Sequence, residues 1–268
     1  MRYIVMFFFI CSAIGAYAQE LFVVTEPASN VPAGSLSVRV GQSLIKNDIK
    51  DNHIYGLSPE VTWGINKSLM VRASSYFDNA TNGMNLAGAS AYAKYRFYSI
   101  DDLQSHFRMA AFGRYSWNKS AIHQESIDLM GKNSGFEVGL VATQLIKKLA
   151  LSSNVSYGRA FDNDGNDFPE LYGKDAINYT FSAGRLMYPN RYKSYKQTNI
   201  NAMVELVGQT ITKNGRSYMD IVPAVQFIIN SQARIDVAYQ KELYGSVHRP
   251  IKDGVFLKLE YTFFNVTK

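Results

Sequence analysis

Cysteine is almost absent from this chain: one residue, Cys11, stands among 268, inside an apolar stretch at the start. The body of the protein therefore forms no disulfide of its own and has no thiolate with which to build a metal centre. Long apolar runs are scarce too. Beyond Ala18 no uninterrupted run approaches the roughly 18 residues that a membrane-crossing helix needs. Histidine is limited to His53, His106, His123 and His248, each near a strand end or in a connection. None has a serine and a carboxylate spaced to join it on adjacent strands, so no nucleophile-and-base constellation is legible and no enzyme is expected. A strong or clustered excess of one charge is also missing. The net charge is +6, carried by scattered basic residues, which excludes the basic stripe of a nucleic-acid-binding protein. No cofactor motif is present.

The first 18 residues have the organisation of an export signal, with Arg2 as a short basic start and Ile4 to Ile10 as an apolar core. Ala16, Tyr17 and Ala18 form a small-x-small site, with cleavage expected before Gln19. Phe9 and Ile10 stand before Cys11 where a lipoprotein signal wants small residues. Residues 19–34, with Pro27, Pro32 and Gly34, form an irregular lead-in. It is expected on the periplasmic side, either folding into the rest of the chain or remaining a flexible tail.

From residue 35 onward the chain alternates apolar and polar residues with a period of two. In 55–65, Tyr55, Leu57, Val61, Trp63 and Ile65 face one way, and Gly56, Ser58, Glu60, Thr62 and Gly64 the other. Twelve such segments are expected, near 35–45, 53–65, 68–78, 86–98, 105–117, 134–145, 149–160, 175–187, 198–210, 217–229, 232–242 and 253–264. Tight turns at Asn66 and Lys67, Lys147 and Lys148, and Asn230 and Ser231 follow even-numbered strands. Long connections, notably 118–133 and 161–174, follow odd-numbered ones. The exception is the long even-side link 188–197, with Pro189, Arg191, Lys193 and Lys196. An even strand number with short turns on one side and long loops on the other is the pattern of a 12-stranded antiparallel up-and-down transmembrane β-barrel over 35–268.

A soluble sandwich also alternates, so the position of the aromatics decides. With strands oriented by connection length, Tyr55, Phe77, Tyr115, Trp117, Phe136, Tyr157 and Tyr239 fall near one end of the apolar face. Trp63, Tyr95, Phe97, Phe107, Phe227, Tyr261 and Phe263 fall near the other, with aliphatics such as Val71, Val138, Leu140 and Leu259 between. Two aromatic girdles around an aliphatic band are what the two interfaces of a bilayer select. The nine residues from Val255 to Phe263, at about 3.3 Å each and tilted about 40°, rise roughly 23 Å, close to the apolar height of such barrels. Outer-membrane lipid is the expected surround, and the aromatic-ended last strand is the kind of segment that barrel-insertion machinery recognises.

The polar face then lines the lumen. Its predicted members are Glu60, Arg72, Lys94, Arg96, Arg108, Arg114, Glu137, Asn201, Glu205, Asp220, Gln226, Arg234, Asp236, Lys258 and Glu260. Opposite charges there either pair across neighbouring strands and brace the wall, or set a field that screens solutes. Twelve strands lie between the eight that side chains fill and the sixteen that leave a channel. Small inward residues such as Gly56, Gly64, Ser74, Gly88, Gly139 and Ser156 argue for some open space. A narrow conduit is expected. Asp162, Asp164 and Asp167 around Gly165 offer oxygen ligands to a hard cation but depart from the EF-hand spacing, and an acidic, solvated loop is the better reading, so no metal site is expected.

The stretch LFVVTEPASN (Leu21 to Asn30) and the run Gly184 to Phe264, with GRLMYPNRYKSYKQTNIN, VELVGQ, VPAVQFIINSQARID and LKLEYTFFN, resemble an uncharacterised family of outer-membrane barrels. That family is similar in outline to transporter barrels associated with the phenol meta-cleavage pathway. The matching positions are Gln197, Asn199, Asn201, Glu205, Gly208, Asp220, Pro223, Gln226 and Ser231. The resemblance implies a barrel with a transport role and names no solute. The expected function is passive passage of a small solute; a closed barrel with a structural or surface-interaction role is the alternative, with an outer-membrane barrel enzyme behind it.

Overall fold

The computed structural model describes residues 22–47, 52–80, 83–102, 104–189, 196–249 and 251–267. The expected export signal and most of the link 188–197 lie outside them. Twelve strands follow in chain order: β1 (Leu36–Asn47), β2 (Asn52–Gly64), β3 (Leu69–Asp78), β4 (Asn85–Asp101), β5 (Ser105–Asn118), β6 (Ser134–Ile146), β7 (Leu149–Phe161), β8 (Asp175–Tyr188), β9 (Asn199–Ile211), β10 (Ser217–Ile229), β11 (Ala233–Gly245) and β12 (Ile251–Phe263). Each pairs antiparallel with its neighbours in sequence, and β1 pairs with β12 from Leu36↔Phe263 to Asn47↔Ile251, closing the barrel. The predicted all-β, twelve-stranded architecture is the one observed. Closure leaves no sheet edge unpaired, which satisfies the backbone without help from water. Both ends of the barrel chain lie at the end where connections are short, here the turn end; the opposite one is the loop end.

Alternation produces the predicted two faces. On β6, Val138 and Leu140 are exposed while Val141 and Thr143 are buried; on β9, Val204 is exposed and Met203 and Glu205 are buried. Most exposed rings form two groups, with Phe181 lying between them, midway along β8: Tyr115, Trp117, Tyr239 and Tyr244 towards the loop end, and Trp63, Tyr95, Phe97, Tyr98, Tyr188, Tyr261 and Phe263 towards the turn end. Strict alternation does not place Tyr98 there. A register shift between Arg96 and Tyr98 puts both Phe97 and Tyr98 outside, and β4 continues three residues past the predicted end at 98. Two prolines open gaps in the ladder. The β2–β3 register passes from Leu57↔Phe77 to Glu60↔Ser74 with no pair at Pro59, and β10–β11 passes from Ile221↔Lys241 to Ala224↔Ala238 with none at Pro223. Proline brings no N–H to the ladder.

The turns match their residues. Lys147, Asn230 and Ser231 take positive φ, as tight hairpins require. The β2–β3 connection is longer than the predicted two residues, because Asn66 Oδ1 accepts the N–H groups of Ser68 and Leu69 and builds an Asx turn. The interior is filled in three apolar clusters. One gathers Phe22, Val23, Met203, Val222 and Ala224; a second gathers Ala28, Val31, Met70, Tyr92, Phe112 and Val141; the third, at the loop end, gathers Ile122, Ile127, Leu129, Phe168, Ile211 and Val247. The first two clusters form around the lead-in, which lies inside the barrel.

Candidate functional site in the barrel lumen

The lead-in enters at the turn end and crosses the lumen from the β2 side to the β8–β9 side. Gly64 permits the entry: a Cβ there would stand 2.2 Å from Pro32 O. Further in, Ser29 Oγ accepts from Arg108 at 3.2 Å, Ala28 N donates to Thr143 Oγ1 at 2.9 Å, and Pro27 O accepts from Lys94 Nζ at 2.7 Å. The crossing ends on Glu205. Its carboxylate accepts from three successive backbone N–H groups, Val23 at 2.8 Å, Val24 at 3.2 Å and Thr25 at 2.7 Å, while Thr25 Oγ1 meets Ser182 Oγ on the neighbouring strand. Consecutive N–H groups converging on one oxygen pair form a nest for an anion, here with the anion supplied by the wall. Val23 O in turn accepts from Lys258 Nζ at 2.7 Å. Phe22 closes the crossing against Met203, Val222 and Ala224.

The predicted lumen charges join into an alternating belt. Asp236 pairs with Arg234 (3.0 Å), Arg234 with Glu260 (2.9 Å), Glu260 with Arg39 (2.7 Å), and Arg39 with Glu60 (3.4 Å). Arg72 stands 3.9 Å from Glu60 and in contact with Glu26, and Lys94 reaches Glu26 at 3.5 Å. The belt thus runs over β11, β12, β1, β2, β3 and β4, and Glu26 of the crossing segment ties it to the lumen centre. Arg114 lies 3.5 Å from Glu137, whose other oxygen accepts from Ser156 and Asn178. Asn201 donates to Gln226 at 2.9 Å, both buried. Arg96 is different: it sits half-exposed at the turn-end rim, donating to Lys67 O. The bulge that follows it ends the regular inward row. Arg39 and Glu26 join the site without having been predicted. Arg39 shares the polar face of its strand with Ser37 and Gly41, so alternation contains the signal; Glu26 lies in irregular chain where no period applies.

Between the crossing segment and the loop end is a chamber of about 350 Å³. Its floor is Val24, Thr25 and Glu26, its walls include Tyr76, Phe112, Arg114, Glu137, Asn178, Val207, Phe256 and Lys258, and residues 126–132 cover it. Two buried side chains pin the loops at this end. Glu125 accepts from Asn214 (2.6 Å), Arg216 (3.1 Å) and His248 N (3.3 Å). Burial opposes its charge, but these donors outweigh burial and hold its pKa below the usual carboxylate value. Arg249 descends from the β11–β12 loop onto Asp220 and Glu242 and stacks on Tyr218, 3.8 Å from the ring centre. Burial disfavours its charge, and Asp220 more than offsets this, raising its pKa. Asp220 therefore holds a loop at the mouth.

Some small inward residues make room for protein instead of water. A Cβ on Gly88 would meet Asn118, one on Gly139 would meet Phe112 and Ser156, and Gly64 faces the lead-in. Met70 and Met203 are buried in separate apolar clusters. Asp162 accepts from Phe168 N at 2.9 Å and Lys174 at 3.1 Å, so its loop is closed by its own donors. His106 Nδ1 lies 2.9 Å from Asp101 at the turn-end rim, and His248 lies in the loop that Glu125 holds.

The closed barrel has counterparts among solved structures. The COG4313 outer membrane channel from Pseudomonas putida F1 superposes with a TM-score of 0.59 over 90% of this chain and 100% of that one, at 12% identity. This chain shares the closed-barrel fold of that channel. The NanC porin follows with a TM-score of 0.49 over 85% of this chain and 98% of that one, also at 12% identity. No family model matches the sequence, and no curated protein matches it. At this identity the likeness carries the fold and makes no link to the phenol meta-cleavage pathway.

Proposed function

We propose that this protein is an outer-membrane channel for passive passage of a small solute, kept narrow by its own residues 22–31. The observation that carries the reading is the pairing of an exposed aliphatic band between two rings of aromatics with a lumen of charged and polar side chains. The first suits lipid and its two interfaces, the second suits water and solute. The similarity to a channel barrel supports the same reading. Glu60, Arg72, Lys94, Arg114, Glu137, Glu205, Asp220, Lys258 and Glu260 line the path, with Arg96 and Arg108 near its turn end. Chemistry here is selection by width and charge, without a covalent step. Outer-membrane lipid surrounds the wall, and β12, with Tyr261 and Phe263, is the strand offered to the insertion machinery.

The lumen is also the ground for a second reading. The crossing segment and the loops pinned by Glu125 and Arg249 occupy much of the bore, as a closed barrel with a structural or surface role would require. Recordings from purified protein in planar bilayers separate the two. The channel reading predicts small discrete steps from the full chain and steps several-fold larger after deletion of 22–31; silence from both preparations favours the closed barrel.

A further inference from the structure

Lys258 is the exception in the paired lumen. Among the described residues no carboxylate lies within ion-pairing distance of it, and its one hydrogen-bond partner is Val23 O at 2.7 Å. Its side chain also lines a void of about 30 Å³ that adjoins the chamber floor, together with Arg39, Arg72 and Arg114. The carboxylates lining that void are Glu26 and Glu60, while Arg39 also pairs with Glu260 and Arg114 with Glu137, which leaves Lys258 as the lining cation without an ion pair. Both acids are already engaged, Glu26 by Arg72 and Lys94 and Glu60 by Arg39 and Arg72. Arg114 is nine-tenths buried, its Nε makes no hydrogen bond, and Glu137 stands 3.5 Å away while also receiving Ser156 and Asn178. Positive charge and donors are left over at one point on the floor.

The remaining acids of the chamber are higher and are held. Asp78 is held by Lys132 at 2.6 Å, Asp220 by Arg249 and Gln240, and Asp128 by Met130 N at 2.8 Å. The void has about the volume of one water molecule in the liquid, enough for a compact anionic head. The chamber above adds apolar surface from Phe112, Val207 and Phe256. We propose that the chamber binds a small organic carboxylate, its head group in the void at Lys258 and Arg114 and its apolar body against these side chains. Charge-assisted hydrogen bonds from two desolvated cations favour a carboxylate over a neutral group of the same shape.

The proposal rests on the lumen being a solute path, and its test is made separately from conductance. Calorimetric titration of the full chain in detergent micelles with pentanoate and with pentanamide isolates the charge, since the two have nearly the same shape. Pentanoate is expected to bind about tenfold more tightly. Lys258→Met should lose about tenfold in pentanoate affinity, and Lys258→Arg, which keeps the charge and guards against a folding defect, should retain most of it. Equal affinity for acid and amide, absence of pentanoate binding, displacement by chloride alone at equal concentration, or indifference to Lys258→Met with the barrel intact would each overturn the site. Pentanoate binding in a protein that never conducts would leave the site standing and remove the channel reading. Conductance without any preference for carboxylates would do the reverse.

Discussion

Glu205 receives three backbone N–H groups from one short segment, and a hydrogen bond to a buried charge contributes more than a neutral one. Glu205→Gln keeps the shape but turns an amide N–H₂ towards donors. It should loosen the crossing segment and cost about 2 to 3 kcal/mol, read as a lowered unfolding midpoint with a raised single-channel conductance. An unchanged midpoint and conductance would mean that the nest holds nothing. Glu26→Gln acts differently, since it leaves Arg72 and Lys94 without the acid they share. A buried cation deprived of its partner is costly, about 3 kcal/mol or more. In a stable variant the reversal potential in a salt gradient should shift towards anion selectivity. Alternation along the strands is enough to place Glu205, Arg72, Lys94 and Lys258 inside. It has no means of finding Glu26 or Arg249, because both lie in irregular chain where side-chain direction follows tertiary contacts.

At the scale of elements, the lead-in and the loops at the mouth depend on a few local fits. Gly64→Val places a branched side chain where Pro32 O already stands, 2.2 Å from the Cβ position. The barrel ladder should survive while the lead-in is expelled, so protease should cut within 22–34 in the variant and spare the wild type in folded, detergent-solubilised protein. The loop above the chamber has a pH dependence of known sign. The Glu125 pKa is lowered in the folded state, so its contribution to docking is fully present above the ordinary carboxylate value of about 4.3 and is lost as pH falls through the lowered folded value. Hydrogen-exchange protection factors of residues 122–131 should therefore stay high at neutral pH and fall once the pH drops below the ordinary carboxylate range, whereas Glu125→Gln should be poorly protected throughout. Strand positions are legible in the sequence because each buried face repeats every second residue. The bulge after Arg96 is not, since an extra residue in one strand leaves no trace in composition.

For the whole molecule, the sequence carries the strand number, the closed order and the sidedness of long and short connections, because a barrel wall imposes one period on every segment. The contents of the lumen are less legible. Gly64 and Gly139 read as open space yet face the lead-in and Phe112, and the crossing segment is fixed by contacts between residues some 180 positions apart, such as Val23 and Glu205. Lumen and wall then divide the work. The belt from Asp236 to Lys94 joins strands on both sides of the β1–β12 seam, which its ladder and these pairs hold. The direct measurement is a single-cysteine scan of β6 and β7 in liposomes, with Cys11 replaced by serine. Val138→Cys, Leu140→Cys and Val155→Cys should resist a membrane-impermeant maleimide and be reached by a lipid-soluble quencher, while Glu137→Cys and Ser156→Cys should behave the opposite way. Uniform labelling, or protection on the polar positions with reaction at Val138, Leu140 and Val155, would contradict a barrel with lipid outside and water within.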